Sequence, residues 1–476
     1  MAELTTVPTV RLKKGCAKPI HGGHPWVFAD AITRIDGTPV ASGDEVRVVD
    51  DNDTCLGRGF LSPHSAIAVR LLTRADAPIT EAIFTARIDE ALRLRRNVLR
   101  LGNLATQATS VAPELNEKDQ TRLDALNQQL TKIQTFAAQY GMDATEETVE
   151  LRHRRETLLK NAGATTTAHS LVEKCPLTTA YRLINSEGDG LGGLIVDVYD
   201  DYLAVQIGTA GMERRLESIL NILEDRLHPK AILDRSDARI RQLEKLDPPR
   251  EAPLRGQAPE TVYFVSEYGV EMICNLCSSH TQKTGLFLDQ RENRRRFASF
   301  ASGRNVLDVF SYTGGFALHA AKAGARSITL IESSGEALRL AHANFERHQI
   351  PDAELIAAKW SEGFKQLREA GRQFDLMALD PPKFAATKSQ VSSALSAYRD
   401  LNIQAVRLLS PGGVLFTCSC SSNVSELDFE RAIAAALRAS ERRAMLIERR
   451  YAGPDHPLPP GFDQGKYLKC LVLQVV

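Results

Sequence analysis

The chain has 476 residues, 43% of them hydrophobic and 25% charged. That length supports about three domains and excludes a disulfide-stapled miniprotein or a mostly disordered chain. Lys and Arg total 59, and so do Asp and Glu, which excludes a uniformly basic nucleic-acid-coating protein but leaves local basic patches open.

The start, Met-Ala-Glu-Leu-Thr-Thr, has no basic region followed by an apolar stretch, so no secretory signal is expected. No apolar run approaches the roughly 18 residues of a membrane span. A soluble, cytoplasmic protein follows. The eight cysteines are sparse for this length and read as free thiols in a reducing compartment.

Residues 7–75 read as small and β-rich. The run from Glu45 to Val49 alternates polar and apolar residues and stops at the turn cluster Asp50-Asp51-Asn52-Asp53. Ala66 to Leu72 is a second strand. His21 to Phe28, with Pro25 and two glycines, is a tight, irregular connection. A small barrel is expected.

Residues 80–170 change character. Leu123, Leu126, Leu130, Ile133 and Phe136 form one apolar stripe of an amphipathic helix. Asp143 to Glu146 resembles a capping box that opens a second helix. The two suggest a helical hairpin, with Arg152-His153-Arg154-Arg155 on its second helix as a solvated face or a phosphate contact.

Residues 176–270 read as an α+β module. Leu194–Val198 and Tyr202–Ile207 are strands about an acidic turn, Glu213–Leu227 has helical spacing, and 248–259 is a proline-rich loop. From 280 onward, strands and helices alternate. Strands are expected at 306–309, 327–331, 374–379 and 414–417, with helices at 316–323, 336–347 and 395–409 ended by Gly412-Gly413. This rhythm implies a mostly parallel sheet covered by helices, with ligands beyond the strands' C-terminal ends.

The chemistry-bearing residues fall at those ends. Asp308 lies in the first strand, and Phe310-Ser-Tyr-Thr-Gly-Gly-Phe316 leads into a helix. Glycines there allow close backbone approach, and a helix N-terminus favours a negative group. Glu332 ends the next strand, 24 residues after Asp308. An acid at that place accepts both hydroxyls of a ribose, so the pair points to an adenosine-containing ligand. Asp380-Pro-Pro-Lys-Phe384 takes the chain rigidly out of the sheet, fixing Asp380 and Lys383 over a substrate plane with Phe384 able to stack on a base. Thr417-Cys-Ser-Cys-Ser421 ends the next strand. A thiol there is a nucleophile once deprotonated, or a packing residue. Cys274-x-x-Cys277 has no matching second pair, so no metal site is expected. The Gly-x-Ser-x-Gly elbow of a hydrolase is absent.

Four stretches, Lys283 to Arg291, Asp308 to Phe316, Asp380 to Phe384 and Ser419-Cys420-Ser421, together resemble bacterial and archaeal S-adenosylmethionine-dependent ribosomal RNA methyltransferases. They are most similar to the large-subunit cytosine-5 methyltransferase I group. His24-Pro-Trp-Val-Phe28 resembles that family's N-terminal PUA domain, an RNA-binding β-barrel. Arg182 to Val198 resembles its central domain, and Asp455-His-Pro and Gly465 to Lys469 resemble its tail. The likeness covers most of the chain outside about 100–172, a helical insertion that offers a homodimer contact.

The resemblance implies an α/β fold with four parts. These are a PUA-like barrel over 1–75, a helical linker and hairpin over 76–175, a central α+β domain over 176–270 and a class I, Rossmann-like doubly wound methyltransferase domain over 271–476. It implies an S-adenosylmethionine pocket made by Thr284, Gly285, Asp289, Gln290, Asp308, Phe310, Tyr312, Gly314, Glu332 and Asp380. It implies Cys420 as the nucleophile that adds to C6 of cytosine, with Cys418 as the rival, and Asp380 holding the base edge near N3. Lys383 stands where other cytosine-5 enzymes carry a second cysteine, which leaves the base for the C5 proton unassigned. Lys13, Lys14, His24, Trp26, Arg291 and Arg294 are expected to meet RNA. The partner implied is large-subunit ribosomal RNA, free or in an assembly intermediate. Two features depart from the family's pattern: Cys16 replaces an arginine, and no acid for the adenine amino group aligns near Ala358-Lys-Trp360, leaving a backbone carbonyl or Glu362. The alternatives are an N-methyltransferase acting on a purine of ribosomal RNA and a catalytically silent RNA-binding assembly factor.

Overall fold

The computed structural model describes residues 7–37, 40–102, six residues between 122 and 129, 178–259, 263–276, 285–350 and 352–476. The chain forms two compact units, one of residues 1–103 with 177–476 and one of 104–176. In the second unit the described residues are helical. The rest of the expected hairpin, with Arg152–Arg155, lies outside the described residues.

The first unit begins with a six-stranded sheet. Its strands are β1 (Thr9–Leu12), β2 (Trp26–Phe28), β3 (Ile32–Asp36), β4 (Glu45–Val49), β5 (Cys55–Leu61) and β6 (Ile67–Thr73), in the order β2-β6-β5-β4-β1-β3. The alternation read in β4 is explained by its faces. Val46 and Val48 enter the core with Val10, Leu12, Leu61 and Val69, while Glu45 and Arg47 stay half-buried. Each apolar side chain so buried contributes about 1.5–3 kcal/mol.

A second sheet follows, built from β7 (Ala180–Asn185), β8 (Leu194–Tyr199), β9 (Tyr202–Ile207), β10 (Ala231–Asp234) and β11 (Arg255–Gly256) in the order β11-β10-β9-β8-β7. The helix Leu216–Leu227 packs on it through Leu216, Ile219, Leu220 and Leu223. The helix Glu81–Arg93 joins the same core through Phe84, Ile88 and Leu92. The hairpin of β12 (Tyr263–Glu267) and β13 (Val270–Cys274) instead packs into the core of the C-terminal sheet.

That sheet holds β14 (Asn305–Val309), β15 (Ser327–Glu332), β16 (Glu354–Ala357), β17 (Phe374–Leu379), β18 (Leu409–Ser419), β19 (Ala444–Arg450) and β20 (Lys469–Val475). The order is β16-β15-β14-β17-β18-β20-β19; the first five strands are parallel, and β20 runs antiparallel to both of its neighbours, β18 and β19. Its inner strands are apolar on both faces because both are covered. Leu376 and Ala378 enter one core, and Met377 and Leu379 enter the other. The chain leaves β14 in one direction and returns on its other side as β17. The crevice at that reversal is where an open α/β sheet binds its ligand.

Gly412-Gly413 does not end a helix as expected. The helix Val391–Arg407 has already closed, and Pro411 to Gly413 lie inside β18. Phe374 pairs with Leu409 while Leu376 pairs with Val414, so the intervening residues bulge out of the ladder. Proline without an N–H and permissive glycines suit such a bulge.

Candidate active site

A cavity of about 640 Å³ opens beyond the C-terminal ends of β14, β15, β17 and β18. Its wall includes Asp289, Gln290, Phe310, Tyr312, Glu332, Asp380, Lys383 and Cys420. The size suits a cofactor or drug-sized ligand.

The loop after β14 is shaped by left-handed backbone at Phe310 (φ 61°), Tyr312 (φ 50°) and Gly314 (φ 79°). For the two aromatic residues this costs about 1–2 kcal/mol each. The neighbours over-determine it. The Phe310 and Ser311 amides donate to the Ile331 carbonyl at 3.0 and 3.3 Å. The Tyr312 hydroxyl donates to the Gly285 carbonyl at 3.0 Å. At Gly314 a Cβ would lie 3.1 Å from Leu330 and 3.2 Å from Phe345, so glycine answers both the φ and the packing.

Asp308 lies beneath this loop rather than in the cavity wall, 1% exposed. Its Oδ2 accepts from the Ala317 amide at 3.0 Å, tying β14 to the first turn of the helix Gly315–Lys322. Burial pushes its carboxyl up to about 8, with the negative charges of Asp380 and Glu332 adding to the rise. Glu332 bridges two turns. Its Oε2 accepts from the Tyr312 amide at 3.0 Å and its Oε1 from the Ser334 amide at 2.8 Å. Asp308 Oδ1 and Ser311 Oγ are buried without a hydrogen-bond partner among the described residues. Buried polar atoms are seldom left so. An acid at the rim, an unsatisfied hydroxyl in the wall and this volume fit an adenosine-bearing cofactor.

The opposite wall comes from the Asp380–Phe384 turn and the end of β18. The Cys420 thiol reaches the Pro381 carbonyl at 3.8 Å, so it lies against the Asp-Pro-Pro turn. Lys383 is exposed and donates to Ser422 Oγ at 3.4 Å. The two cysteines read as rivals part company here. Cys420 lines the cavity. Cys418 is 1% exposed in the core, opposite Cys470 in the strand register. Its thiol is pushed well up, by its hydrogen bond with Cys470 and then by burial. A buried neutral thiol is a packing group.

Other expected residues fall elsewhere. Gly285 and Gly314 are not wall residues; Thr284 lies outside the described residues. Gly285 (φ 145°) is where a Cβ would meet Cys274 Sγ at 2.5 Å. Phe384 does not face a base: its ring packs on Tyr398, centroids 4.8 Å apart, in the core. Glu362 is exposed and outside the wall.

The expectation that Arg291 and Arg294 meet RNA phosphates is corrected by burial. Arg291 is fully buried and forms a two-pronged pair with Asp455 at 2.7 and 3.0 Å. Arg294 grips Glu267 at 2.8 and 2.6 Å and contributes to the cavity wall. Lys13 and Lys14 are exposed, Lys13 donating to the Asp30 carbonyl at 2.7 Å. His24 and Trp26 are partly buried, and Trp26 Nε1 donates to Glu187 Oε1 at 2.7 Å.

The motif reading missed Phe287, Ser333, Ser334, Leu340 and Tyr467, all in the wall. The Tyr467 hydroxyl donates to Asp289 Oδ2 at 2.6 Å. Tyr467 lies in the Gly465–Lys469 stretch that resembles the family's tail, but that resemblance gave it no place in the pocket.

Comparison with known proteins agrees with this geometry. A PUA-like domain family matches residues 10–74, and the S-adenosylmethionine-dependent methyltransferase family matches residues 223–473. "Ribosomal RNA large subunit methyltransferase I" of Shewanella denitrificans is 33% identical over 468 residues, covering 98% of this chain and 99% of that protein. The protein of the same name from Shewanella frigidimarina is also 33% identical, over 469 residues, with the same coverage. Among solved structures, a Streptococcus mutans chain described as an S-adenosylmethionine-dependent methyltransferase has a TM-score of 0.69 at 18% identity, covering 98% of this chain and 99% of that one. Another, a methyltransferase complexed with SAH, reaches 0.71 at 19% identity with the same coverage. These two support the fold. With a PUA-like domain ahead of a cofactor cavity at the sheet's reversal, and relatives alike along nearly their whole length, the chain belongs to the S-adenosylmethionine-dependent methyltransferases, in the ribosomal RNA large subunit methyltransferase I family.

Proposed function

We propose that this enzyme, acting in the cytoplasm, methylates C5 of a cytosine in large-subunit ribosomal RNA through a transient bond between Cys420 and C6. The observation that carries the reading is the Cys420 thiol lying against the Asp380-Pro-Pro turn, in the wall of the same cavity as Glu332 and Tyr312. C5 of cytosine is a poor nucleophile. A thiolate adding to C6 moves electron density onto C5, which takes the methyl group; a base then removes the C5 proton, the bond between the thiol and C6 breaks and the ring is restored. Bound S-adenosylmethionine supplies an electrophilic methyl group. Glu332 holds the ribose hydroxyls, and the 310–315 loop with Asp289 and Gln290 encloses the rest of the cofactor. Asp380 holds the base edge near N3 and stabilises the charge that develops there. Lys383, at the exposed mouth, meets the RNA. Lys13 and Lys14 contact phosphates, and His24 and Trp26 belong to the same RNA-facing domain.

The test is methyl transfer from labelled cofactor to unmodified ribosomal RNA, with nucleoside mass analysis. Wild type is expected to give 5-methylcytidine and Cys420→Ala none. A methylated purine from both proteins would replace this reading with N-methylation. Cofactor binding without any transfer would favour an assembly factor.

A further inference from the structure

Lys469 opens β20 opposite Ser419 of β18 and is 3% exposed. A buried ammonium is costly unless it is paired and hydrogen-bonded. Its hydrogen bonds go to two backbone carbonyls, Ser421 at 2.7 Å and Val424 at 2.8 Å. Both belong to the loop that begins at Cys420. A neutral glutamine would satisfy two carbonyls without the cost of a buried charge, so the charge calls for a further reason. The reason lies next along the chain, at the thiol in the cavity wall.

We propose that Lys469 is the positioning residue of Cys420: it clamps the 421–424 loop and its positive charge stabilises the thiolate, the thiol proton leaving to solvent. The charged surroundings are consistent with this. Burial lowers the Lys469 ammonium to about 8, Cys420 and Glu426 favour its charged form, and Lys383 opposes it. Asp380 and Lys383 of the 380–384 turn share the cavity wall with Cys420, Tyr398 of the helix Val391–Arg407 and Lys469 of β20 feel its charge, and Glu426 of the helix Glu426–Ala439 acts on Lys469. A nearby opposite charge favours the thiolate and lowers a thiol's midpoint.

The inference rests on Cys420 as the reacting thiol but is read without turnover. The rate of iodoacetamide alkylation at Cys420, followed by tandem mass spectrometry on the full-length protein, is measured against pH. Wild type is expected to show a midpoint below the ordinary thiol value of about 8.5. Lys469→Gln keeps hydrogen-bond donors but removes the charge, and its midpoint should rise by about one unit, slowing alkylation at pH 7 by roughly tenfold. Lys469→Arg should restore the wild-type midpoint. An unchanged midpoint in a folded, cofactor-binding Lys469→Gln would overturn the proposal. If the variant does not fold, a wild-type midpoint at or above about 8.5 overturns it equally. Should Cys420→Ala retain methyl transfer while the midpoint still shifts, the nucleophile reading falls and the lysine–thiol coupling stands.

Discussion

Two buried aspartates in this protein, Asp455 and Asp308, differ in how completely their surroundings satisfy them. Around Asp455, every charge has a partner. Arg291 grips both its oxygens, the Arg182 amide donates to Oδ2 at 2.9 Å, and Arg95 joins the Asp455 carbonyl at 2.8 Å to Asp189 at 2.5 and 2.8 Å. Around Asp308 the account does not close. Asp308 Oδ1 and Ser311 Oγ have no hydrogen-bond partner among the described residues, beside a cavity of about 640 Å³. Buried charge alone therefore does not mark a binding site. Unused hydrogen-bonding capacity in a cavity wall, as at Ser311, does. The titrations diverge in the same way. Burial alone would raise Asp455, but Arg291 and then His456 hold it well below the usual range. At Asp308, Arg294 offsets burial only in part, and the carboxyl rises to about 8.

The contrast can be broken by substitution. Asp455→Asn should cost about 3–5 kcal/mol, because it leaves Arg291 buried without its counter-charge. Urea unfolding at pH 7 measures it. Since the folded carboxyl titrates below its unfolded value, its contribution is present above about pH 3.9 and is lost as pH falls through the folded value. A loss below 1 kcal/mol for Asp455→Asn would mean that the closed cluster is not a structural tie.

Asp308→Asn should behave oppositely. A carboxyl raised on folding contributes stability fully present below its unfolded value and lost as pH rises toward about 8. The ligand-free wild type should thus lose on the order of 4 kcal/mol relative to Asp308→Asn between pH 5 and 9. Parallel thermal-melting curves across that range would contradict the assignment. Cofactor affinity, measured by calorimetry, should fall roughly tenfold, as the tie to Ala317 weakens.

Gly314→Ala is a smaller probe of the open cluster. Its φ of 79° and the contacts of a new Cβ at 3.1 and 3.2 Å predict a loss of about 1–2 kcal/mol in stability, with weaker cofactor binding. Smallest is Trp26→Phe. Losing the Nε1 bond to Glu187 should cost about 1 kcal/mol. If RNA affinity falls while stability stays, the indole serves RNA directly rather than anchoring the N-terminal sheet.

The strand-end motifs were legible because they are local. A strand, a glycine turn and a helix are read from consecutive residues, and so were Phe310 to Phe316, Glu332 and Asp380 to Lys383. Arg291 and Arg294 were misread for the converse reason. Their charge suggests a surface, and only Asp455, 164 residues away, and Glu267, 27 residues away, turn them inward. Phe384 went into the core because Tyr398 offers an apolar neighbour that no short pattern reveals.

The alternation of apolar runs by itself determined the α/β class, the position of the ligand crevice and the order of the motifs, since period and turn chemistry are properties of neighbouring residues. Tertiary structure alone decided which charges are buried, which of Cys418 and Cys420 meets the cavity, and that Lys469 bonds the loop after Cys420. Burial and partnership join residues far apart in sequence, and they exist only once the sheet has closed on its helices.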